Sequence, residues 1–123
     1  MRSLAAWVLV LAWAGVIFTL SSIPSLAVTE GLVDLLLRKA AHMTEYALLT
    51  ILLIRALGQS GVARPVPWAA GLAVAYAISD EFHQSFVPGR AGLPRDVLID
   101  AVGIAIACAL AVRLARRPMP RPA

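Results

Sequence analysis

One stretch of this chain reads Asp80-Glu81-Phe82-His83-Gln84, followed by Arg90 and then Asp96. Carboxylates, an imidazole and a guanidinium so close together can move protons, hold a phosphate or an amine, or ligate a metal. Two further windows carry groups of the same kind. Lys39, His42 and Tyr46 stand at i, i+3 and i+7, so they share one helical face, with Glu45 beside that stripe. Asp96, Asp100 and Gly103 stand at i, i+4 and i+7, and Asp80 and Gln84 at i, i+4 with Glu81 flanking them. Both histidines, the only lysine and all seven acidic residues fall between Glu30 and Asp100.

The elements that must position these groups are strongly apolar. The 123 residues are 60% hydrophobic and 15% charged, with a mean hydropathy of +0.81, whereas a soluble domain is about a quarter charged. Four apolar stretches account for the excess: Leu4–Leu20, Ala40–Leu57, Val66–Ser79 with its continuation to Val87, and Val97–Leu114. Each has about the length that crosses a hydrocarbon core of roughly 30 Å as a helix, and only a helix satisfies its own backbone there. The expectation is an all-α membrane protein, a bundle of four transmembrane helices. Residues 1–115 form its one domain, and residues 116–123 form a disordered basic tail. Arg2, Leu4–Leu20 and Ser25-Leu26-Ala27 also fit a cleaved signal peptide, but the later apolar stretches commit the chain to a membrane regardless.

Charge sets the orientation. Arg2, Arg55, Arg64, Arg113, Arg116, Arg117 and Arg121 fall on one side of a four-span topology, and Arg38, Lys39, Arg90 and Arg95 fall on the other with all the acids. The excess of basic residues marks the cytoplasmic side, so both termini are expected in the cytoplasm of a multi-pass cell-membrane protein. The net charge of +4 and pI near 10.2 are then explained by topology, and nucleic acid is excluded as a partner. Cys108 stands alone and forms no intrachain disulfide. The outward loops are Ser21–Arg38, with a short interfacial stretch Val28–Leu37, and Pro88–Arg95. Lys39 starts the second helix, Asp80–Gln84 ends the third and Asp96 starts the fourth, so the polar windows meet at the outward side. They lie about 6–10 Å inside their helix ends at 1.5 Å per residue, near lipid headgroups, with Lys39 and Arg90 expected to pair with the carboxylates.

Taken together, Lys39-x-x-His42-x-x-x-Tyr46, Asp80-Glu81-x-x-Gln84, Pro88-Gly89-Arg90 and Asp96-x-x-x-Asp100-x-x-Gly103 resemble the VanZ-like family of small integral membrane proteins. Ser21-Ser22-x-Pro24 after the first stretch fits as well, and the resemblance covers residues 5–115. The family usually has Asn where this chain has Asp100, and often Ser or Thr where it has Leu93, so this chain carries one carboxylate more. The resemblance implies an association with low-level resistance to the lipoglycopeptide teicoplanin. It implies no particular reaction and leaves any cofactor unknown.

Three functions fit the residues. In the first, Lys39, Tyr46, Gln84, Arg90, Asp96 and Asp100 bind a headgroup, with arginine able to engage a phosphate bidentately. The partner is then a membrane lipid, a lipid-linked cell-envelope precursor or a lipid-tailed antibiotic, and a transport role would call for a homo-oligomer. In the second, His42 is a general base and Asp80 or Glu81 orients it or acts as acid, in hydrolysis or transfer on a lipid-linked phosphate or acyl group. In the third, the charges only staple the helices, although polar contacts between membrane helices average about 0.6 kcal/mol, a small return for so many charges. His42, Glu45, Asp80 and Glu81 are the residues from which a metal site would be drawn. Di-metal four-helix sites use two Glu-x-x-His motifs; this chain has one His42-x-x-Glu45, in reverse order, and no metal is expected. His83 faces a different side of its helix from Asp80 and Gln84.

Overall fold

The computed structural model describes residues 1–24, 31–90, 92 and 94–118. Among the described residues the fold has four helices: α1 (Arg2–Ser22), α2 (Leu32–Gln59), α3 (Pro65–Gln84) and α4 (Pro94–Ala115). The all-helical expectation holds, and local sequence explains the boundaries. Gly61 adopts φ 86° after α2, a left-handed conformation that glycine takes without Cβ strain, and Val62 N–H donates back to Leu57 O at 3.0 Å. Pro65 then opens α3 at a position where a missing N–H costs nothing. Asp96 sits in the first turn of α4, at the positive end of the helix dipole.

Among the described residues, three helices are long and apolar enough to cross a membrane: α1, residues Leu35–Gln59 of α2, and α4. The 20 residues of α3 reach about 30 Å, also a span's length. Asp80, Glu81, His83 and Gln84 in its last five residues dilute its hydropathy.

One boundary differs from the sequence reading. The second helix does not start at Lys39 after a separate interfacial stretch; α2 runs unbroken from Leu32. No Pro or Gly interrupts Leu32–Lys39, and leucine, arginine and lysine are good helix formers, so the helix simply continues. Its 28 residues reach about 42 Å, longer than the roughly 30 Å core. Lys39 therefore stands two turns inside the helix. Residues 28–30 of the expected interfacial stretch, the Ser25-Leu26-Ala27 cleavage signal, Leu93 and residues 119–123 of the tail lie outside the described residues.

The helices alternate in direction. At one end of the bundle Trp7 Nε1 donates to Ser60 Oγ at 3.0 Å; at the other, Gln84 Nε2 donates to Ser21 Oγ at 3.2 Å. The two central helices, α2 and α3, each touch all the others, while α1 and α4 make no contact among the described residues. Ala69, Ala73 and Ala77 on α3 are fully buried, and this stripe of small side chains lets neighbouring backbones come close. The outer surface carries exposed Leu4, Leu11, Trp68, Ile78, Leu98 and Leu110, while Asp80, Glu81, Gln84 and Asp100 are buried. A water-surrounded protein would reverse that distribution; a lipid-surrounded one requires it.

Candidate functional site

The site begins with a ladder between α2 and α4. Lys39 Nζ and Asp96 Oδ1 form an ion pair. One turn deeper, His42 Nδ1 lies 3.2 Å from Asp100 Oδ1. Aspartate is short, so these rungs need close backbones. Gly103 supplies them: a Cβ there would run into the carbonyl of Met43. The i, i+4, i+7 spacing of Asp96, Asp100 and Gly103 thus marks a single packing edge.

The third helix closes the site from the other side of α2. Tyr46 is fully buried and donates its hydroxyl to Asp80 Oδ2 at 3.1 Å. Gln84 Nε2 donates to the same oxygen at 3.3 Å. Two aromatic donors dock α1 onto this frame, Trp13 Nε1 to Glu45 O at 2.9 Å and Tyr76 OH to Ala14 O at 2.6 Å. Not every acceptor is answered. Asp80 Oδ1, both Glu81 carboxylate oxygens and Asp100 Oδ2 are buried without a hydrogen-bond partner among the described residues. A buried charged oxygen left so costs several kcal/mol, and each one demands an explanation.

Arg90 does not pair with these carboxylates as expected. Its Nε donates to Ile23 O at 2.8 Å and its Nη2 to Leu20 O at 3.1 Å. The last carbonyls of a helix have no intrahelical partner and carry the negative end of its dipole, so the guanidinium caps α1 instead. The turn that delivers it uses Gly89 at φ 76°. It then lays Gly92 against the carbonyl of Glu81, where a Cβ would not fit.

Between α2, α3 and α4 lies a cavity of about 160 Å³, lined by Leu35, Arg38, Lys39, His42, Glu81, Gln84, Gly89, Arg90, Asp96, Ile99 and Asp100. Seven of the residues singled out from sequence meet there: Lys39, His42, Glu81, Gln84, Arg90, Asp96 and Asp100. Tyr46 and Asp80 are outside its lining and brace it from behind. Glu45 is not part of it; its backbone carbonyl accepts from Trp13. His83 is also elsewhere, stacked on Phe18 with ring centroids 4.5 Å apart. The set considered for a metal, His42, Glu45, Asp80 and Glu81, is not the one that converges. Among the described residues, His42, Glu81 and Asp100 each bring a ligand atom within 4.8 Å of the others. Glu45 is not among the converging ligands, and Asp80 Oδ2 accepts from Tyr46 and Gln84. Sequence reasoning gave Arg38 and Ser21 no place in binding. Adjacency to Lys39 was the only signal for the first, and the Ser-Ser-x-Pro motif for the second.

These elements fall within one stretch of known kinship. The family described as VanZ/LLP1 matches residues 6–116, which include all four helices but for the first residues of α1. No curated protein and no solved structure matches the chain.

Proposed function

We propose a function from one premise: the chain belongs to the VanZ/LLP1 family, and the polar cavity at the end of its bundle receives a headgroup. The protein is a multi-pass membrane protein that binds the polar head of a membrane lipid or of a lipid-linked cell-envelope precursor. Through that binding it contributes to resistance against lipid-tailed glycopeptides such as teicoplanin. All four helices span. The cavity faces outward, because Arg2, Arg55, Arg64, Arg113 and Arg116 belong to the opposite end of the bundle and basic residues mark the cytoplasmic side.

The observation that carries this reading is the cavity's lining by both signs of charge, with Arg38, Lys39 and Arg90 against Glu81, Asp96 and Asp100. Such a lining suits a headgroup that presents a phosphate together with hydroxyl or amine donors. Size narrows the choice further. A volume of about 160 Å³ holds several waters at about 30 Å³ each, yet falls below the roughly 300–1,000 Å³ of pockets that enclose a drug-sized molecule. It admits a head and excludes the tails, which then lie along exposed Leu35, Leu36 and Leu98.

Histidine NMR tests this directly, because the two histidines have different surroundings. Protein labelled with ¹⁵N at histidine is titrated in micelles with a short-chain phospholipid. Saturable shifts of the His42 imidazole with an unmoved His83 are expected. Equal movement of both, or of neither, contradicts a headgroup in the cavity.

The His42–Asp100 contact favours a second reading. A carboxylate that holds one nitrogen of an imidazole orients it as a general base, here for hydrolysis or transfer on the bound lipid phosphate or acyl group. Under that reading His42→Gln abolishes turnover while headgroup binding persists.

A further inference from the structure

We infer that His42, Glu81 and Asp100 ligate a divalent metal ion that faces the cavity. The three side chains come from three helices, α2, α3 and α4, and their ligand atoms lie within 4.8 Å of one another. Ligands at about 2.0–2.2 Å around one tetrahedral ion lie about 3.3–3.6 Å apart, so side-chain movement on the order of 1 Å closes the set.

The second observation is the state of the carboxylates. Glu81 is 5% exposed and Asp100 0%. Among the described residues, both oxygens of Glu81 and Oδ2 of Asp100 lack a hydrogen-bond partner. Two cations of the lining are engaged elsewhere: Lys39 is held by Asp96, and Arg90 by the carbonyls of Leu20 and Ile23. A divalent ion supplies the missing positive charge at the point where three helices aim their oxygens and a ring nitrogen. One imidazole and two carboxylates suit Zn²⁺ or Mn²⁺ better than a soft ion such as Cu(I). Three protein ligands also leave a coordination position open toward the cavity.

The ion would deepen the headgroup reading, on which this part of the inference rests. A phosphate entering beside Glu81, Asp96 and Asp100 meets like charge. An ion at their centre reverses the local sign and offers the phosphate its open position.

The test uses the tag-free full chain in detergent, stripped with EDTA and dialysed, then titrated calorimetrically with Zn²⁺ or Mn²⁺ alone. One saturable site per chain is expected for at least one of the two ions. Glu81→Gln and His42→Gln should each weaken binding at least tenfold at wild-type helical content. Glu81→Gln matters most, because it removes no hydrogen bond and keeps the fold. Asp80→Asn, which changes a neighbouring carboxylate outside the set, should retain the site. Absence of a one-to-one site for either ion overturns the inference, as does undiminished binding in Glu81→Gln. Repeating the histidine titration in EDTA separates the two ideas. Headgroup binding that survives chelation unchanged removes the metal bridge and leaves the headgroup reading standing. A metal site with no headgroup response at any metal level does the reverse.

Discussion

His42 Nδ1 on α2 lies 3.2 Å from Oδ1 of Asp100 on α4, and that carboxylate is fully buried. Among the described residues, only one of its two oxygens has a hydrogen-bond partner. Asp100→Asn preserves the size and the contact with His42 while removing a buried charge. The penalty relieved is that of an unanswered charged acceptor, at least about 1 kcal/mol. In the metal-free, EDTA-treated protein the variant is expected to be as stable as the wild type or more so, with a raised thermal midpoint in detergent. A midpoint several degrees lower would mean that the charge itself holds α2 to α4.

Gly103 is the packing edge of the same seam. Alanine gains roughly 0.5–1 kcal/mol over glycine inside a helix, but here its Cβ meets the backbone carbonyl of Met43, which cannot rotate away. Overpacking typically costs about 1–3 kcal/mol, so the collision outweighs the propensity. Gly103→Ala should lower the unfolding midpoint and lengthen the rungs above it. Gly71, whose Cβ would meet nothing within 4 Å, is the control, and Gly71→Ala should be neutral or stabilising.

Lys39 and Asp96 form the outer rung, with side chains 28% and 15% exposed. Polar contacts between membrane helices average about 0.6 kcal/mol and reach about 1.7, and a half-shielded ion pair belongs in the upper half of that range. A double-mutant cycle with Lys39→Met and Asp96→Leu should return a coupling near 1 kcal/mol by denaturant unfolding in mixed micelles. Strict additivity of the two changes would show that the pair holds nothing together.

Much of this site was legible because helical faces are a local property. The 3.6-residue period puts Lys39, His42 and Tyr46 on one side of α2 whatever surrounds them, and it does the same for Asp96, Asp100 and Gly103. What two faces do to each other was not legible. Asp100 rather than Glu45 joins His42 and Glu81, because the α2–α4 crossing at Gly103 decides which carboxylate reaches across. The partner of Arg90 depends on a loop that bends back over α1. Its tempting carboxylates lost to unanswered helix carbonyls, a competition that residue spacing does not encode. The start of α2 was missed for a different reason: the charges at Arg38 and Lys39 read as an end of the apolar span, but a helix need not stop where its membrane does.

Orientation can be read with a membrane-impermeant thiol reagent. Cys108 is first replaced by alanine to remove the background. Cysteine at exposed Arg95, beside the cavity, should label from outside intact cells. Cysteine at exposed Ala63, between α2 and α3, should label only after permeabilisation. The opposite pattern would turn the cavity toward the cytoplasm.

Native mass spectrometry of the full chain, released from membranes with its lipids, asks most directly whether the cavity is a headgroup site. Ile99→Trp serves as the comparison, because Ile99 lines the cavity and an indole there occupies space without altering a charge. The wild type should retain one phosphate-bearing lipid per chain at collision energies that strip the loosely held ones, and Ile99→Trp should emerge bare. A wild type that emerges bare, or a variant that keeps the lipid in equal proportion, would contradict the assignment.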